Sequence, residues 1–102
     1  MMRSLEYRSP RVHANFDVDF ITGEDMFRGT CVDVSETGVR ARFALEVPES
    51  KSGSLIMRHP LRKTIITVRA VYLLKDQVGF AFFEPTPGDR EVLSHLMSLL
   101  GI

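Results

Sequence analysis

The sequence is poor in the residues that mark disulfide scaffolds, zinc sites and membrane spans. It has one cysteine, Cys31, among 102 residues, which excludes an intrachain disulfide and a cysteine-pair zinc site. No apolar run approaches the length of a membrane span, and the first residues lack the apolar centre of a signal peptide. We therefore expect a cytoplasmic protein with no membrane insertion, in which Cys31 is a small core residue.

An excess of one charge is also absent, since thirteen basic and thirteen acidic residues cancel. This balance argues against a protein that coats nucleic acid through a general basic surface. Ten of the thirteen cations are nevertheless arginine. The planar guanidinium fork suits phosphate and guanine better than a lysine ammonium does.

The motifs of the common enzyme classes are missing as well. The chain has no Gly-x-Ser-x-Gly elbow, Walker loop or Rossmann fingerprint. His13, His59 and His95 lack the spacing of a metal-binding pair. Asp17 and Asp19 fit a solvated outer strand face better than a cation site. We predict that the protein is not an enzyme and has no cofactor and no metal site.

What the chain does contain is the alternation of apolar and polar residues that is typical of half-buried strands. A continuous strand is predicted from Val12 to Phe20, with His13, Asn15, Asp17 and Asp19 on its outer face. In all, six strands are predicted, over residues 12–20, 26–34, 39–43, 54–58, 64–74 and 77–83. Because short turns and no helices separate them, they favour an antiparallel barrel or sandwich, and closure would hide the strand edges.

The period changes near the end of the chain. Thr86 can cap a helix, Pro87 suits its first turn, and apolar residues then recur at helical spacing. We therefore expect a single domain over residues 1–102. It would comprise a flexible arginine-bearing arm (1–11), a barrel (12–84) and an amphipathic helix (87–100) that packs on the barrel or on a partner.

A polar turn between two strands is the most informative stretch. Asp33, Ser35 and Gly38 interrupt apolar residues with the spacing Asp-x-Ser-x-x-Gly. Asp and Ser side chains can bond nearby backbone N–H groups, and Gly permits a close backbone approach. Beyond the turn, Arg40 and Arg42 are predicted on the outer face of the next strand. Most turns of this composition only reverse the chain.

Together with an upstream arginine pair, Arg8 and Arg11, this spacing resembles the PilZ domain, a bacterial receptor module for cyclic di-GMP. The family pattern is Arg-x-x-x-Arg, a strand, then Asp/Asn-x-Ser-x-x-Gly, followed later by an apolar-Gly-apolar-x-Phe strand. Residues 78–82 (Val-Gly-Phe-Ala-Phe) match the last part. The arginine spacing departs from the pattern, because Tyr7 stands where the first arginine would fall. The resemblance implies an all-β fold, a six-stranded antiparallel barrel with a C-terminal α-helix.

The resemblance also implies a ligand site for cyclic di-GMP. Arg11, Asp33, Ser35 and Gly38 match the motif, with Arg8 as a provisional member and Arg40 as a plausible third cation. The arginines would contact phosphate and stack on purine, Asp33 and Ser35 would accept guanine N–H groups, and Gly38 would let the backbone approach a base.

Three functions are compatible with these observations. The first is a cyclic di-GMP receptor that relays ligand occupancy to an unidentified effector protein by ordering the arginine arm. The second is a degenerate PilZ-like domain that does not bind cyclic di-GMP and acts as a protein–protein interaction module. The third is a small barrel that binds single-stranded nucleic acid through Phe27, Phe43, Tyr72 and Phe80. Their alternation fits a core better, so no nucleic-acid partner is predicted.

Overall fold

The fold is a closed six-stranded antiparallel barrel with one short extra strand and a C-terminal helix. A computed structural model describes residues 11–48 and 51–101; Arg8 and Tyr7 lie outside these ranges. The elements in chain order are β1 (Val12–His13), β2 (Asp17–Thr22), β3 (Asp25–Val34), β4 (Gly38–Phe43), β5 (Ser52–His59), β6 (Arg62–Leu74), β7 (Gln77–Phe82) and α1 (Pro87–Leu99). The predicted fold class is confirmed.

Closure follows from the strand order. The sheet runs β1-β3-β2-β5-β6-β7-β4, and an additional pairing of β3 with β4 joins its ends into a ring of six strands. All pairings are antiparallel. β1 lies outside this ring and pairs with the end of β3, so that Val12 faces Val34 and His13 faces Asp33.

The predicted continuous strand over residues 12–20 is interrupted in the structure. Three residues, 14–16, separate β1 from β2. On β3, only two residues, Cys31 and Val32, separate the residue that pairs with the end of β1 from the residue that pairs with the start of β2. Such a mismatch breaks the regular ladder. The predicted facing is nevertheless observed, because Phe16, Val18 and Phe20 are buried.

The barrel interior is filled by aromatic and branched side chains from every barrel strand. Phe20 lies 4.8 Å from Phe80 between ring centroids, and Phe43 lies 5.9 Å from Phe80 in an edge-to-face arrangement. Both geometries are favourable for aromatic pairs. Cys31 is 1% exposed in this core, as predicted. Together with the other buried apolar side chains of the barrel strands, it belongs to one hydrophobic cluster.

The helix α1 packs against β6. Thr86 and Asp89 form a reciprocal capping box, in which the Thr86 hydroxyl accepts from the Asp89 N–H and the Asp89 carboxylate accepts from the Thr86 N–H, both at 3.0 Å. These bonds satisfy otherwise unpaired N–H groups and fix the start of the helix. Its buried side chains are Leu93, Leu96 and Met97. The helix ends at Leu99, one residue before its predicted end.

Candidate functional site

The candidate site depends on a β-bulge in β3. In a regular strand Asp33 would point to the same face as Cys31, into the core. The pairing with β4 shifts between these two residues, so Cys31 is opposite Ala41 whereas Asp33 is opposite Arg40. The extra residue, Val32, turns Asp33 onto the outer face beside Arg40. A carboxylate that would otherwise face the apolar interior is thus available to surface arginines.

Asp33 binds two arginines, one from each side of β3. Nη1 of Arg11 donates to Oδ1 at 2.8 Å. Nε of Arg40 donates to Oδ2 at 3.0 Å, and Nη2 of Arg40 donates to the same oxygen. The Asp33 side chain is 3% exposed, compared with 40% for Arg11 and 33% for Arg40. The buried carboxylate therefore anchors two guanidiniums that still reach solvent.

The electrostatic balance of this cluster is positive, since one carboxylate faces two guanidiniums. The hydrogen bond to Asp33 raises the pKa of Arg40 above its ordinary value; burial opposes this rise, and Tyr72 adds to it. A guanidinium offers five N–H donors, and those not engaged by Asp33 remain available to an acceptor. An anion with several acceptor oxygens is the ligand class that such a cluster can bind.

The turn after β3 is held by the Ser35 side chain. Its Oγ accepts from the backbone N–H groups of Thr37 and Gly38, each at 3.2 Å. The Ser35 N–H donates to the Gly38 carbonyl at 2.9 Å. Ser35 is 1% exposed, so its hydroxyl serves the turn itself, and the turn holds the end of β3 next to the arginines.

Gly38 is explained by packing in the barrel. A Cβ atom at this position would overlap the backbone carbonyl oxygen of Phe80 on β7. Gly38 pairs with Ala81 in the β4–β7 ladder. Glycine is therefore required for close approach of two strands, and the predicted approach of the backbone to a base stays a prediction.

Of the predicted site residues, the structure brings Arg11, Asp33, Ser35, Gly38 and Arg40 together around the end of β3. Arg8 lies outside the described residues. Arg42 points outward as expected and pairs with Asp76 at 3.2 Å.

Sequence reasoning missed Tyr72, which was expected in the core. A second bulge, in the pairing of β6 with β7 between Ala70 and Tyr72, sets Tyr72 opposite Gly79 on the outer face. The sequence carries no signal for this bulge, because residues 70–74 are all apolar or aromatic. Only the structure shows that Ala70 and Leu73, which are separated by an odd spacing, both belong to the core or pack against it.

A second carboxylate–arginine cluster lies on the outer face of β2. Oδ1 of Asp19 accepts from Arg28 Nε at 3.1 Å, and Oδ2 accepts from Arg58 Nε at 3.0 Å. Asp19 is 1% exposed, so the expectation of a solvated residue is wrong. The two arginine side chains cover it. This cluster links β2 to β3 and β5.

The described part of the chain contains neither a candidate metal cluster nor a helix that could span a membrane. Over residues 11–48 and 51–101, no group of three His, Cys, Asp or Glu side chains is placed to hold a metal ion. None of the helices in the same ranges has the length and apolarity needed to cross a membrane.

Comparison with known proteins identifies the family and the fold. The family model described as PilZ domain matches residues 6–99. The PilZ domain of YcgR from Escherichia coli, solved with c-di-GMP, superposes with a TM-score of 0.82 at 13% identity, covering 93% of this chain and 91% of that one. The PilZ domain of CeSA from a cellulose-synthesising bacterium gives 0.78 at 14% identity, covering 92% and 100%.

A third similar structure is the Bacillus subtilis inhibitor of motility, MotI. It gives a TM-score of 0.72 at 19% identity, with 92% of this chain covering 50% of that one. No curated protein sequence matches the chain significantly.

Proposed function

The chain belongs to the PilZ domain family, and we propose that it is a cyclic di-GMP receptor that relays ligand occupancy to a partner protein. It would act as a binding module in the cytoplasm, without catalysis. The PilZ domain of YcgR, which has the same fold, was solved with c-di-GMP. The observation that carries the proposal is the pair of guanidiniums anchored on Asp33 beside the Ser35 turn.

The ligand chemistry fits this arrangement. Cyclic di-GMP presents two phosphates and two guanines, so it needs cationic forks together with base-edge partners. An arginine fork matches the adjacent O6 and N7 acceptors of guanine, a contact worth about 1–3 kcal/mol of discrimination. Both guanidiniums share one carboxylate, and an incoming phosphate would supply a second anion that balances their charge.

The arm would complete the site. Arg11 directly precedes β1 and lies beside Asp33. We propose that Arg8 adds a further cation, that Tyr7 offers a ring for stacking on a base, and that ligand binding orders this arm. The changed surface would then be recognised by the effector protein.

Calorimetric titration of the 102-residue chain with cyclic di-GMP tests the proposal. We expect a dissociation constant in the micromolar range or tighter, which corresponds to a binding free energy of roughly −8 kcal/mol or more favourable. Arg11→Ala and Ser35→Ala should each weaken binding by about tenfold or more, because one removes a cation and the other loosens the turn. Circular dichroism would verify that both variants are folded.

Arg28→Ala is the matched control. Arg28 is also an outer-face arginine paired with a buried aspartate, but it lies in the Asp19 cluster, so its loss should leave the affinity unchanged. The absence of both heat and thermal stabilisation in the unsubstituted chain would overturn the receptor proposal and favour a protein–protein interaction module. An Arg11→Ala variant that binds like Arg28→Ala would contradict the role of Arg11.

A further inference from the structure

A row of four residues crosses the outer face of the barrel at the candidate site. Tyr72 on β6 is opposite Gly79 on β7, Gly79 is opposite Arg40 on β4, and Arg40 is opposite Asp33 on β3. Both ends of the row are turned outward by bulges, at Val32 in β3 and at Val71 in β6. Bulges commonly re-aim a side chain near a functional site.

Gly79 leaves a gap in this row, and the Tyr72 ring fills it. A Cβ atom at Gly79 would overlap three carbons of the Tyr72 ring, so the ring lies flat against the backbone of β7. In that position it covers Gly79, which is buried although it faces outward. Across β7 from the ring lies Arg40. A larger residue at position 79 would keep the ring away from the arginine.

Arg40 therefore lies between Asp33 on β3 and the Tyr72 ring over Gly79 of β7. Its Nε and Nη2 donate to Asp33, which leaves Nη1 outside that contact. Tyr72 lies on the far side of Gly79 from Arg40, and it adds to the rise in the pKa of Arg40 that Asp33 causes. An arginine side chain has many rotamers, and a second contact reduces the entropy that it loses when a ligand binds.

We propose that Tyr72 is a positioning residue that fixes the Arg40 fork for a guanine edge and thereby sets the preference for guanine over adenine. The inference rests on the proposed function. Guanine offers O6 and N7, two adjacent acceptors, whereas adenine offers N7 beside the N6 amino donor. A fixed pair of N–H donors accepts the first pattern and rejects the second. A guanidinium that can rotate away loses much of this discrimination.

The test is a double-mutant cycle measured with two ligands, cyclic di-GMP and cyclic di-AMP, on the full chain. Variants are Tyr72→Phe, Arg40→Ala and both together, with Phe83→Leu as a control. Phe83 is an exposed aromatic beside an arginine, with Arg69 5.4 Å from its ring centroid, and it lies outside the row. Tyr72→Phe keeps the ring over Gly79 and removes only the hydroxyl.

We expect Tyr72→Phe to weaken cyclic di-GMP binding by about three- to tenfold and to narrow the preference over cyclic di-AMP by a similar factor. In the Arg40→Ala background the same change should have no effect, because Tyr72 acts through Arg40. A merely structural role would lower both affinities equally in both backgrounds.

Three outcomes would overturn the inference. Equal losses for both ligands, an undiminished effect of Tyr72→Phe without Arg40, or wild-type affinity of Tyr72→Phe would each exclude the positioning role while leaving the receptor function intact. If the unsubstituted chain binds neither ligand, the proposed function fails, and the role of Tyr72 in ligand selection fails with it.

Discussion

Asp33 and Cys31 are two residues apart in β3 but lie in opposite environments. The carboxylate is on the outer face with two arginines, and the thiol is in the core beneath it, with its Sγ 3.6 Å from the Asp33 carbonyl oxygen. Burial first, and the charge of Asp33 second, raise the pKa of Cys31 from 9.0 to about 12. A thiolate would bring a second negative charge next to the site without solvent to screen it.

This shift predicts a pH dependence of stability. Because the folded pKa of Cys31 lies above the unfolded value, its contribution is complete below pH 9.0 and is lost as the pH rises toward 12. Between about pH 8 and pH 10.5, urea unfolding should show a loss of about 2 kcal/mol more in the unsubstituted chain than in Cys31→Ala. The alanine variant controls for the titration of Lys and Tyr. Parallel pH profiles would contradict the prediction.

For single residues, the sequence predicted which side chains lie together, but it did not contain the packing partners of some of them. Asp33, Ser35 and Gly38 are within six positions of each other, so their spacing was visible. The partner that requires Gly38 to be glycine is Phe80, on a strand that only the closed barrel brings into contact. The pairing that buries Asp19 likewise depends on Arg58, which is 39 positions away.

Among the elements, β3 and β6 carry the features that build the site, because each contains a bulge that reverses the facing of the residues after it. The consequence in β6 is an aromatic ring over a glycine of β7. The Tyr72 ring occupies the space that a side chain at position 79 would need, so the effects of substitutions at the two positions should depend on each other.

Gly79→Ala tests this pairing. The added Cβ overlaps the Tyr72 ring, so we expect a loss of about 1–3 kcal/mol in the free energy of unfolding. In a Tyr72→Ala background the same substitution should be neutral or stabilising, since the ring is gone and alanine loses less chain entropy than glycine. Urea denaturation of the four proteins measures both effects. The same loss in both backgrounds would show that another neighbour opposes the Cβ.

Alternation in the sequence was sufficient to predict the strands and the helix, and insufficient to predict where the alternation breaks. The strand over residues 12–20 was expected to be continuous because all its apolar residues are in phase. The strand is interrupted because β3 has one residue fewer between the partners of β1 and β2 than the strand itself has. Pairing mismatches of this kind depend on two strands at once, so a pattern along one strand does not contain them.

At the scale of the whole molecule, the helix and the barrel share one core. Leu96 of α1 is fully buried, and the helix residues Leu93 and Met97 belong to the same apolar cluster as Phe16 and Ile66. A surface-bound helix could melt alone, but removal of this one would expose barrel side chains to water. The predicted choice between packing on the barrel and packing on a partner is resolved in favour of the barrel.

Leu96→Ala should therefore destabilise the entire domain, by about 2–5 kcal/mol. Thermal unfolding followed by far-ultraviolet circular dichroism, which reports helix, and by near-ultraviolet circular dichroism, which reports the packed aromatic side chains of the barrel, should give one coincident transition in both the unsubstituted chain and the variant. Leu61→Ala is the matched control, since Leu61 is 75% exposed and its loss should change little. An earlier helix transition would show that α1 unfolds independently.

Closure of the barrel limits how another protein can attach to it. Each of the six barrel strands has a hydrogen-bonded neighbour on both sides, so over the stretches that are paired on both sides its backbone donors and acceptors are already used along the ladders. Strand addition, in which a partner extends a sheet through main-chain bonds, needs an open edge. Within residues 11–48 and 51–101, β1 alone pairs with a single neighbour, and it is the segment next to Arg11. Along the stretches of the barrel that are paired on both sides, recognition has to be made by side chains.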